Sequence, residues 1–422
     1  MSRQDRQGRA ASLWPDRDRL LVYAAILLSF ELAAFLFFVA GAHGWIVPLA
    51  RPASTDFVSF YAAGMLAKAG TPWLAYDRAA HFAAEQATAG AGIAYNYFYY
   101  PPVFLLACAG LAHFPYTVAY VLFQAVGGLG CFAAARAIRR DLPWYAMAAF
   151  PAFWWTIGTG QNALITTALF AAGTAAIDRR PWITGLCFGA LCYKPHFGLL
   201  IPVALVAGGH WRAIAWSGAA VAMLAAGSAV LFGTAAWAAF FAAAAAPGDV
   251  YAARAIFMGG LTSPYGVAMV LGAGREAAIG LQIAVVVAIG WAVARVWRAG
   301  APLPERAAVL LAATPVAVPV MMFYDLMLVF MALLWLSRAG PGASGRRGEM
   351  CASGRRGEMG AGARRWSMGA GWRRWAMGVV FVAPLFSGNL YAGTPPMLAA
   401  AVAAGCFGLA LEAAWPWLRP RQ

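Results

Sequence analysis

Charged residues are scarce in this sequence. Of its 422 residues only 11% are Asp, Glu, Lys or Arg, whereas 62% are hydrophobic. A soluble globular domain has about 25% charged residues and about half apolar residues, so the composition excludes an ordinary water-soluble fold. The apolar residues form long runs, and about 20 of them in a row can cross a bilayer as a helix. The sequence therefore predicts an all-α polytopic membrane protein.

Motifs for metals and nucleotides are absent as well. The chain has no His-Glu-x-x-His motif, no phosphate-binding loop and no Gly-x-Gly-x-x-Gly after a predicted strand. Five of the six cysteines lie in apolar runs, and Cys351 stands alone in a basic loop, so none has the spacing of a metal or redox site. We predict no metal site and no cofactor, and a need for a divalent cation stays open.

The basic residues indicate a topology. The formal net charge is +15, but the arginines lie between apolar runs and do not form a phosphate-binding surface, so we expect no nucleic acid partner. We draw spans that start near residues 20, 116, 143, 161, 182, 197, 213, 277, 307, 324, 376 and 396. Most arginines then fall on one side, which the positive-inside rule makes cytoplasmic. Counting Pro102 to Phe114 as a full span would reverse this pattern, so we interpret it as a re-entrant or interfacial segment.

These spans amount to about 12 transmembrane helices. They divide the chain into four regions. They are a basic cytoplasmic N-terminus (1–19), a transmembrane region that includes an outer loop at 41–101 (20–337), a basic low-complexity cytoplasmic loop (338–375), and C-terminal helices with a basic tail (376–422). A cleaved signal peptide is the alternative for the first apolar run, which is unusually long for one, so we favour a retained anchor. The basic loop either rests on anionic lipid or is a tolerated duplication.

Polar residues collect on the outer face of this topology. They are Asp56, Asp77, Gln161, Lys194, His196, Asp249, Arg254, Tyr324 and Asp325. Polar groups at span ends are often membrane-surface anchors, so each residue alone has an equally good structural interpretation. Tyr100 belongs to an aromatic cluster that indicates either an interfacial belt or a stacking wall for a sugar or lipid head group. Lys194 lies at a helix break, where a charged lysine needs an anion or water, and a phosphate is a suitable anion.

The order of several short motifs resembles that of glycosyltransferase family 87, a group of integral membrane enzymes of the GT-C class. The matching stretches are Asp56-Phe57, Phe60-Tyr61-Ala62, Gly70-x-Pro72, Tyr100-Pro101-Pro102, Gly160-Gln161-Asn162, Lys194-Pro195 and Tyr324-Asp325-Leu326. The resemblance implies a GT-C-like helical bundle with a helical first outer loop. It also implies transfer of a sugar, often mannose, from a polyprenyl-phosphate donor to a lipid or glycan acceptor outside the cell membrane.

The resemblance also implies roles for single residues. Asp56 matches the acid that is regarded as the catalytic base, and Asp77 and Asp325 are the rival bases. Such a reaction needs one carboxylate to take the acceptor's proton and cations to stabilise the departing phosphate, for which Lys194 or Arg254 are candidates. We further expect substrate binding by Gln161, Tyr100, Tyr324 and His196. Family members that extend phosphatidylinositol mannosides use a histidine in a late outer loop, and the matching stretch Met321–Asp325 has none.

A transporter or flippase of lipid-linked sugars is the alternative function. Such a protein also has many spans and a few buried polar groups, but its sequence shows inverted repeats and interrupted helices in both halves. No such symmetry is visible here. If the chain is an enzyme, we expect a hexosyltransferase of mannosyltransferase type. We expect it in the cell membrane, surrounded by membrane lipids, with its active site on the extracytoplasmic side.

The topology predicts that both termini and the loop from Arg338 to Arg374 are cytoplasmic, while Asp56, Lys194 and Asp325 face outside. We expect Arg347→Cys, in a chain that carries Cys351→Ser, to react with an impermeant thiol reagent only after cells are permeabilised. Permeabilised cells serve as the labelling control. Strong labelling of intact cells would refute the topology.

Overall fold

The computed structural model describes residues 17–40, 56–245, 258–339, 370–386 and 397–418. Its α-helices are α1 (Arg17–Ala40), α2 (Phe57–Lys68), α3 (Arg78–Ala89), α4 (Pro102–Leu111), α5 (Tyr116–Ile138), α6 (Trp144–Ala148), α7 (Pro151–Thr159), α8 (Ala163–Ala176), α9 (Pro181–Ala190), α10 (Ile201–Ala207), α11 (Trp211–Ala245), α12 (Pro264–Val270), α13 (Arg275–Arg298), α14 (Leu303–Ala317), α15 (Met327–Leu336), α16 (Ala370–Val382) and α17 (Leu398–Leu418). Short 3-10 helices include Pro72–Tyr76, Leu191–Tyr193, Pro195–Leu199 and Phe323–Leu326. Within the described ranges no β-strand is present, so the predicted all-α fold is confirmed.

Among the described residues, four helices, α5, α11, α13 and α17, are long and apolar enough to cross a membrane. Large apolar side chains on three of them are exposed: Leu129 by 70%, Val230 by 83% and Val287 by 66%. Continuous apolar surface of this kind is costly in water and favourable against lipid. Together with the composition, it makes the chain a membrane protein. The shorter apolar stretches of the described part, which include Ala24–Leu36 within α1, have 10–17 residues, so the count of twelve spans stays a prediction.

The centre of the bundle is the helix pair α14 and α15. Every residue of α15 is buried, and so is α14 from Glu305 to Ala317. A helix that is buried on all sides must be surrounded by other helices, and α8 and α17 pack against this pair. The connection between α14 and α15 carries Tyr324 and Asp325. The buried pair therefore fixes the position of both candidate residues.

Arginine side chains join helix ends at one end of the bundle. Nη2 of Arg306 donates to Oδ2 of Asp178 at 2.8 Å, and Nη1 of Arg306 lies 3.2 Å from Nε2 of His210. Nη1 of Arg139 donates to Oγ of Ser337 at 3.1 Å. We call this the arginine end. These contacts bring together loops that the predicted topology places on one side.

The candidate carboxylates lie at the opposite helix ends. Helix α8 begins directly after Asn162 and ends two residues before Asp178, and its 14 residues span about 21 Å. Helix α15 likewise begins two residues after Asp325 and ends just before Ser337. The arginine end and the Asp325 end are therefore separated by the length of these helices. Which end faces outside stays a prediction.

Helix α4 is the segment that we interpret as re-entrant. Its ten residues span about 15 Å, which is half of the roughly 30 Å of a bilayer core. The chain after α4 is held by two contacts: the Tyr61 hydroxyl donates to the Phe114 carbonyl at 2.9 Å, and Nζ of Lys68 donates to the Ala112 carbonyl at 3.2 Å. This short helix agrees with a segment that does not span by itself, and a re-entrant path stays a prediction.

Gly64 allows α2 and α4 to lie against each other. A Cβ atom at position 64 would lie 2.1 Å from the carbonyl oxygen of Cys108. Backbone atoms can move away only if the whole helix moves. Because α2 follows Asp56 and α4 follows Tyr100, this close approach also sets the distance between two candidate site residues.

We expect Gly64→Ala to lower the melting temperature of the purified protein in detergent, because overpacking typically costs about 1–3 kcal/mol. The matched control is Gly110→Ala on α4, where an added Cβ meets no atom within 4 Å. Alanine favours a helix over glycine by about 1 kcal/mol, so this control should be neutral or stabilising. Equal melting temperatures for the two variants would contradict the close helix approach.

Candidate active site

Asp56 precedes α2, but its carboxylate does not cap that helix. Its Oδ2 atom accepts a hydrogen bond from Nε2 of Gln161 at 2.7 Å. Its backbone N–H donates to the carbonyl oxygen of Thr159 at 2.8 Å. An acid that serves only a helix terminus would bind the N–H groups of its own first turn. Both the main chain and the side chain of Asp56 are instead attached to the turn that follows α7.

Gly160 makes that turn. Its φ of 71° and ψ of 22° are left-handed, a conformation that costs other residues about 1–2 kcal/mol. The Gly160 N–H donates to the Ile157 carbonyl at 3.0 Å, and the Gln161 N–H donates to the Thr156 carbonyl at 3.1 Å. These are the two hydrogen bonds of a Schellman cap. The glycine thus ends α7 and aims the next residue, Gln161, at Asp56.

The orientation of the Gln161 amide is determined by its neighbours. Its Oε1 atom accepts from the Asn162 N–H at 3.3 Å and lies 3.5 Å from the Tyr100 hydroxyl. An amide oxygen only accepts hydrogen bonds, so Nε2 is the atom that donates to Asp56. The main chain is held too, because Nε2 of Gln124 donates to the Gln161 carbonyl at 3.1 Å. Gln161 therefore positions the carboxylate of Asp56.

A second carboxylate, that of Asp325, forms an ion pair with Lys194. Nζ of Lys194 donates to Oδ1 of Asp325 at 3.0 Å, and both residues are only 4% exposed. The Lys194 ammonium also lies 5.0 Å from the ring centre of Phe197 and 5.9 Å from that of Tyr324. A buried charge is tolerated when it is paired in this way. From the sequence we expected Lys194 to bind an anion such as a phosphate. In the structure its partner is the carboxylate of Asp325.

The two carboxylates belong to one electrostatic environment. Burial raises the pKa of Asp56 above its ordinary value, and the hydrogen bond from Gln161 and the charge of Lys194 partly oppose that rise. Burial also raises the pKa of the Tyr100 hydroxyl, and the negative charges of Asp325 and Asp56 raise it further. These five residues therefore form one cluster, which we call the carboxylate cluster. The cluster places an ionisable base, Asp56, next to a neutral hydrogen-bond donor, Gln161, and near a cation, Lys194, that is paired with Asp325.

Sequence analysis did not assign a role to Asn162. This residue is fully buried beside the Tyr100 hydroxyl, and neither atom of its amide group has a hydrogen bond of normal geometry. Its place after Gly160 and Gln161 was the one available signal. Gln124 was missed for another reason: it lies in the middle of a long apolar helix, and nothing in the local sequence connects it with Gln161.

Other predicted residues lie apart from the carboxylate cluster. Asp77 is exposed, and Oδ1 of Asp77 accepts a hydrogen bond from the Ala80 N–H at 2.8 Å, so it caps α3. This contact favours a structural role over that of a rival base. His196 is exposed, and its ring packs against Phe197 at a centroid distance of 5.1 Å. Arg254 and Asp249 are outside the described residues.

A family model described as glycosyltransferase family 87 matches residues 98–322, which is more than half of the chain. No curated protein and no solved structure matches the sequence. The matched range contains Tyr100, Gln161 and Lys194 but ends before Asp325 and begins after Asp56. Each of these two carboxylates contacts a residue within the range, because Asp56 binds Gln161 and Asp325 binds Lys194.

We expect Gln161→Met to destabilise the protein more at pH 8 than at pH 5. Without the donor the pKa of Asp56 rises further, and a raised pKa contributes stability at low pH that is lost as the pH rises through it. A hydrogen bond to a charged group contributes roughly 1.5–3 kcal/mol. Thermal unfolding at both pH values measures this, with Gln86→Met on α3 as the control. A loss that does not depend on pH would contradict the role assigned to Gln161.

Proposed function

The chain belongs to glycosyltransferase family 87, and from that premise we propose that it transfers a sugar from a polyprenyl-phosphate donor to a lipid or glycan acceptor, with Asp56 as the general base. Membership of a transferase family favours this reaction over a transporter of lipid-linked sugars. The observation that carries the mechanism is the hydrogen bond from Gln161 to Asp56. It holds one carboxylate in a defined orientation within a largely buried polar cluster.

The proposed reaction exchanges one bond at the anomeric carbon for another. The acceptor hydroxyl oxygen forms a bond to that carbon, and the bond between the carbon and the phosphate oxygen breaks. The hydroxyl proton passes to Asp56, and the bonding electron pair leaves with polyprenyl phosphate. Because the donor is already activated, the protein has to supply a base, a site for the phosphate and correct positioning.

Asp56 suits the role of base better than Asp325 does. Asp56 binds a neutral amide and is partly accessible, whereas Asp325 is 4% exposed and neutralised by an ammonium group at 3.0 Å. Ion pairing lowers the basicity of a carboxylate, and burial without an ion pair raises it. Burial raises the pKa of Asp56, so it is a stronger base than a solvent-exposed carboxylate at a pH where it is still ionised, and no ammonium group of the described residues occupies its oxygen atoms.

Lys194 is the described cation of the carboxylate cluster, so we assign the donor phosphate to it. An ammonium group has three N–H donors, and one of them is directed at Asp325. The remaining donors can bind a phosphate oxygen while Asp325 keeps the side chain in place. Asp325 then acts as a positioning residue for Lys194. Arg254 is a second candidate on the basis of sequence alone.

The proposal also specifies which sugar is transferred and on which side of the membrane the active site lies. The motif resemblance supports mannose as the sugar. Segregation of Arg139 and Arg306 to the end of the bundle opposite Asp325 supports an extracytoplasmic site, because positively charged loops favour the cytoplasm. Nucleotide sugars are absent outside the cell, which makes a lipid-linked donor the natural one.

We expect Asp56→Asn to reduce turnover of a polyprenyl-phosphate sugar by about 10²- to 10⁴-fold, the usual contribution of a positioned proton transfer. Asparagine is nearly isosteric, so donor binding and melting temperature should stay close to those of the wild-type chain. Turnover and binding by the purified protein in detergent measure the two effects.

Asp77→Asn is the matched control, since it removes a carboxylate that only caps a helix, and its turnover should change by less than about threefold. Asp325→Asn should weaken donor binding, because Lys194 loses its partner. Near-normal turnover of Asp56→Asn together with a collapse in Asp325→Asn would transfer the role of base to Asp325.

A further inference from the structure

A histidine and a glutamate are buried together outside the carboxylate cluster. His81 and Glu85 lie one turn apart on α3, and both are fully buried. Nδ1 of His81 is 3.7 Å from Oε1 of Glu85. Neither of these two atoms has a hydrogen-bond partner in the described part of the chain. Buried ionisable side chains are rare unless they are paired, so this pair requires an explanation.

The outer atoms of the pair each hold a different segment. Nε2 of His81 lies 3.0 Å from the carbonyl oxygen of Ser59, on the first turn of α2. Oε2 of Glu85 accepts a hydrogen bond from the backbone N–H of Asn96 at 3.1 Å. A carbonyl oxygen only accepts and a backbone N–H only donates. Therefore Nε2 carries a proton and Oε2 does not.

The 3.7 Å between the inner atoms is slightly longer than a hydrogen bond, and a small rotation of either side chain would let one proton bridge them. If His81 is neutral, its Nδ1 atom has a lone pair, and an ionised Glu85 would present a second lone pair to it. Two acceptors that face each other repel, whereas a single proton between them makes a hydrogen bond. Burial lowers the pKa of His81 to about 4 and raises that of Glu85 to about 8. At neutral pH the proton therefore resides on Glu85, and the pair carries no net charge.

The two anchored segments are those that carry Asp56 and Tyr100. The Ser59 N–H donates to the Asp56 carbonyl at 3.2 Å, so Ser59 belongs to the same helical turn. Asn96 lies in the stretch without regular secondary structure, residues 93–101, that leads to Tyr100. We propose that His81 and Glu85 form a positioning pair for the transfer reaction, which shares one proton and holds the Asp56 segment against the Tyr100 segment. This inference rests on the function proposed above.

Several charged and titratable groups face Glu85. The charge of Asp56, at the start of α2, disfavours an ionised Glu85, and by reciprocity an ionised Glu85 disfavours an ionised Asp56. Tyr95, in the irregular stretch before Tyr100, interacts with Glu85, and the guanidinium of Arg78 lies 5.5 Å from the Tyr95 ring centre. Asp77 acts on the same tyrosine. Tyr76, at the end of the 3-10 helix Pro72–Tyr76, does not contact Glu85 in the described contacts but holds the same segment, because its hydroxyl donates to the Tyr100 carbonyl at 3.0 Å.

Loss of the shared proton should impair the site in two ways. The hydrogen bond between Glu85 and His81 is lost, which loosens both anchored segments, and a second negative charge arises near Asp56. Glu85→Gln separates these effects from simple damage to the fold. Its amide nitrogen can donate to Nδ1 of His81 while its oxygen accepts from the Asn96 N–H, so glutamine reproduces the protonated glutamate without titrating.

The test compares kcat between pH 7 and pH 9 for the wild-type chain, Glu85→Gln, Glu85→Ala and the control Glu276→Gln, which removes an exposed carboxyl group on α13. With a pKa of about 8 for Glu85, the wild-type kcat should fall roughly tenfold by pH 9. Glu85→Gln should match the wild type within twofold at pH 7 and keep that rate at pH 9. Glu85→Ala should lose at least tenfold in kcat at pH 7 with little change in KM, and the control should behave as the wild type.

A second readout is independent of turnover. Because the pKa of Glu85 is raised in the folded state, stability is greatest at low pH and falls as the pH rises to about 8, whereas the lowered pKa of His81 acts only below about pH 6.5. The melting temperature of the wild-type chain should therefore decrease between pH 6.5 and pH 8. That decrease should be smaller in Glu85→Gln than in the wild-type chain, because Asp56 still titrates, and it should be unchanged in Glu276→Gln.

Three results would overturn the inference: a wild-type kcat without an alkaline decrease, a decrease that persists in Glu85→Gln, or a loss in Glu85→Gln as large as in Glu85→Ala. Failure of the proposed function looks different, because the wild-type chain would then transfer no sugar from polyprenyl phosphate at any pH. In that case the comparison of melting temperatures alone decides the inference, and equal pH dependence in Glu85→Gln and the wild type overturns it.

Discussion

The hydrogen bond from Gln161 to Asp56 connects two segments that are 105 residues apart in the chain. It determines where the carboxylate points, because Asp56 is otherwise a residue at the edge of a helix with a free choice of rotamer. The Gln161 amide can serve this purpose because its oxygen is already occupied by the Asn162 N–H and by the nearby Tyr100 hydroxyl. The same bond offsets part of the cost of burying a carboxylate.

Much of the surrounding structure supports this contact from both sides. On one side the left-handed turn at Gly160 releases Gln161 from α7, and Gln124 holds the main chain behind it. On the other side Gly64 lets α4 lie against α2, and the His81–Glu85 pair ties α2 to the segment before Tyr100. Each support is a contact between elements that are distant in sequence. The site is therefore held by packing and hydrogen bonds from several helices.

The two ends of the bundle have opposite electrostatic character. At the arginine end the largely buried Arg306 binds Asp178, whose carboxylate is partly exposed, so only one partner of this ion pair reaches the surface. At the other end Lys194 and Asp325 neutralise each other in a buried position and leave Asp56 as the unpaired carboxylate of the cluster. Helices such as α8 and α15, which connect the two ends, are almost entirely apolar. This separation agrees with the one-sided site that we propose.

The sequence by itself determined the class of the protein and the membrane environment. Hydrophobicity is a local property that adds up over about 20 residues, so apolar runs and basic loops can be read without knowledge of contacts. The same reading selected Asp56, Gln161, Lys194 and Asp325, because polar residues are conspicuous among apolar ones. Only the tertiary structure decided how they are combined: Asp56 with Gln161, Asp325 with Lys194, and Asp77 as a helix cap. The pairing of His81 with Glu85 gave no sequence signal beyond a spacing of four residues. Such choices depend on which distant helices meet, and a single sequence contains no direct record of those distances.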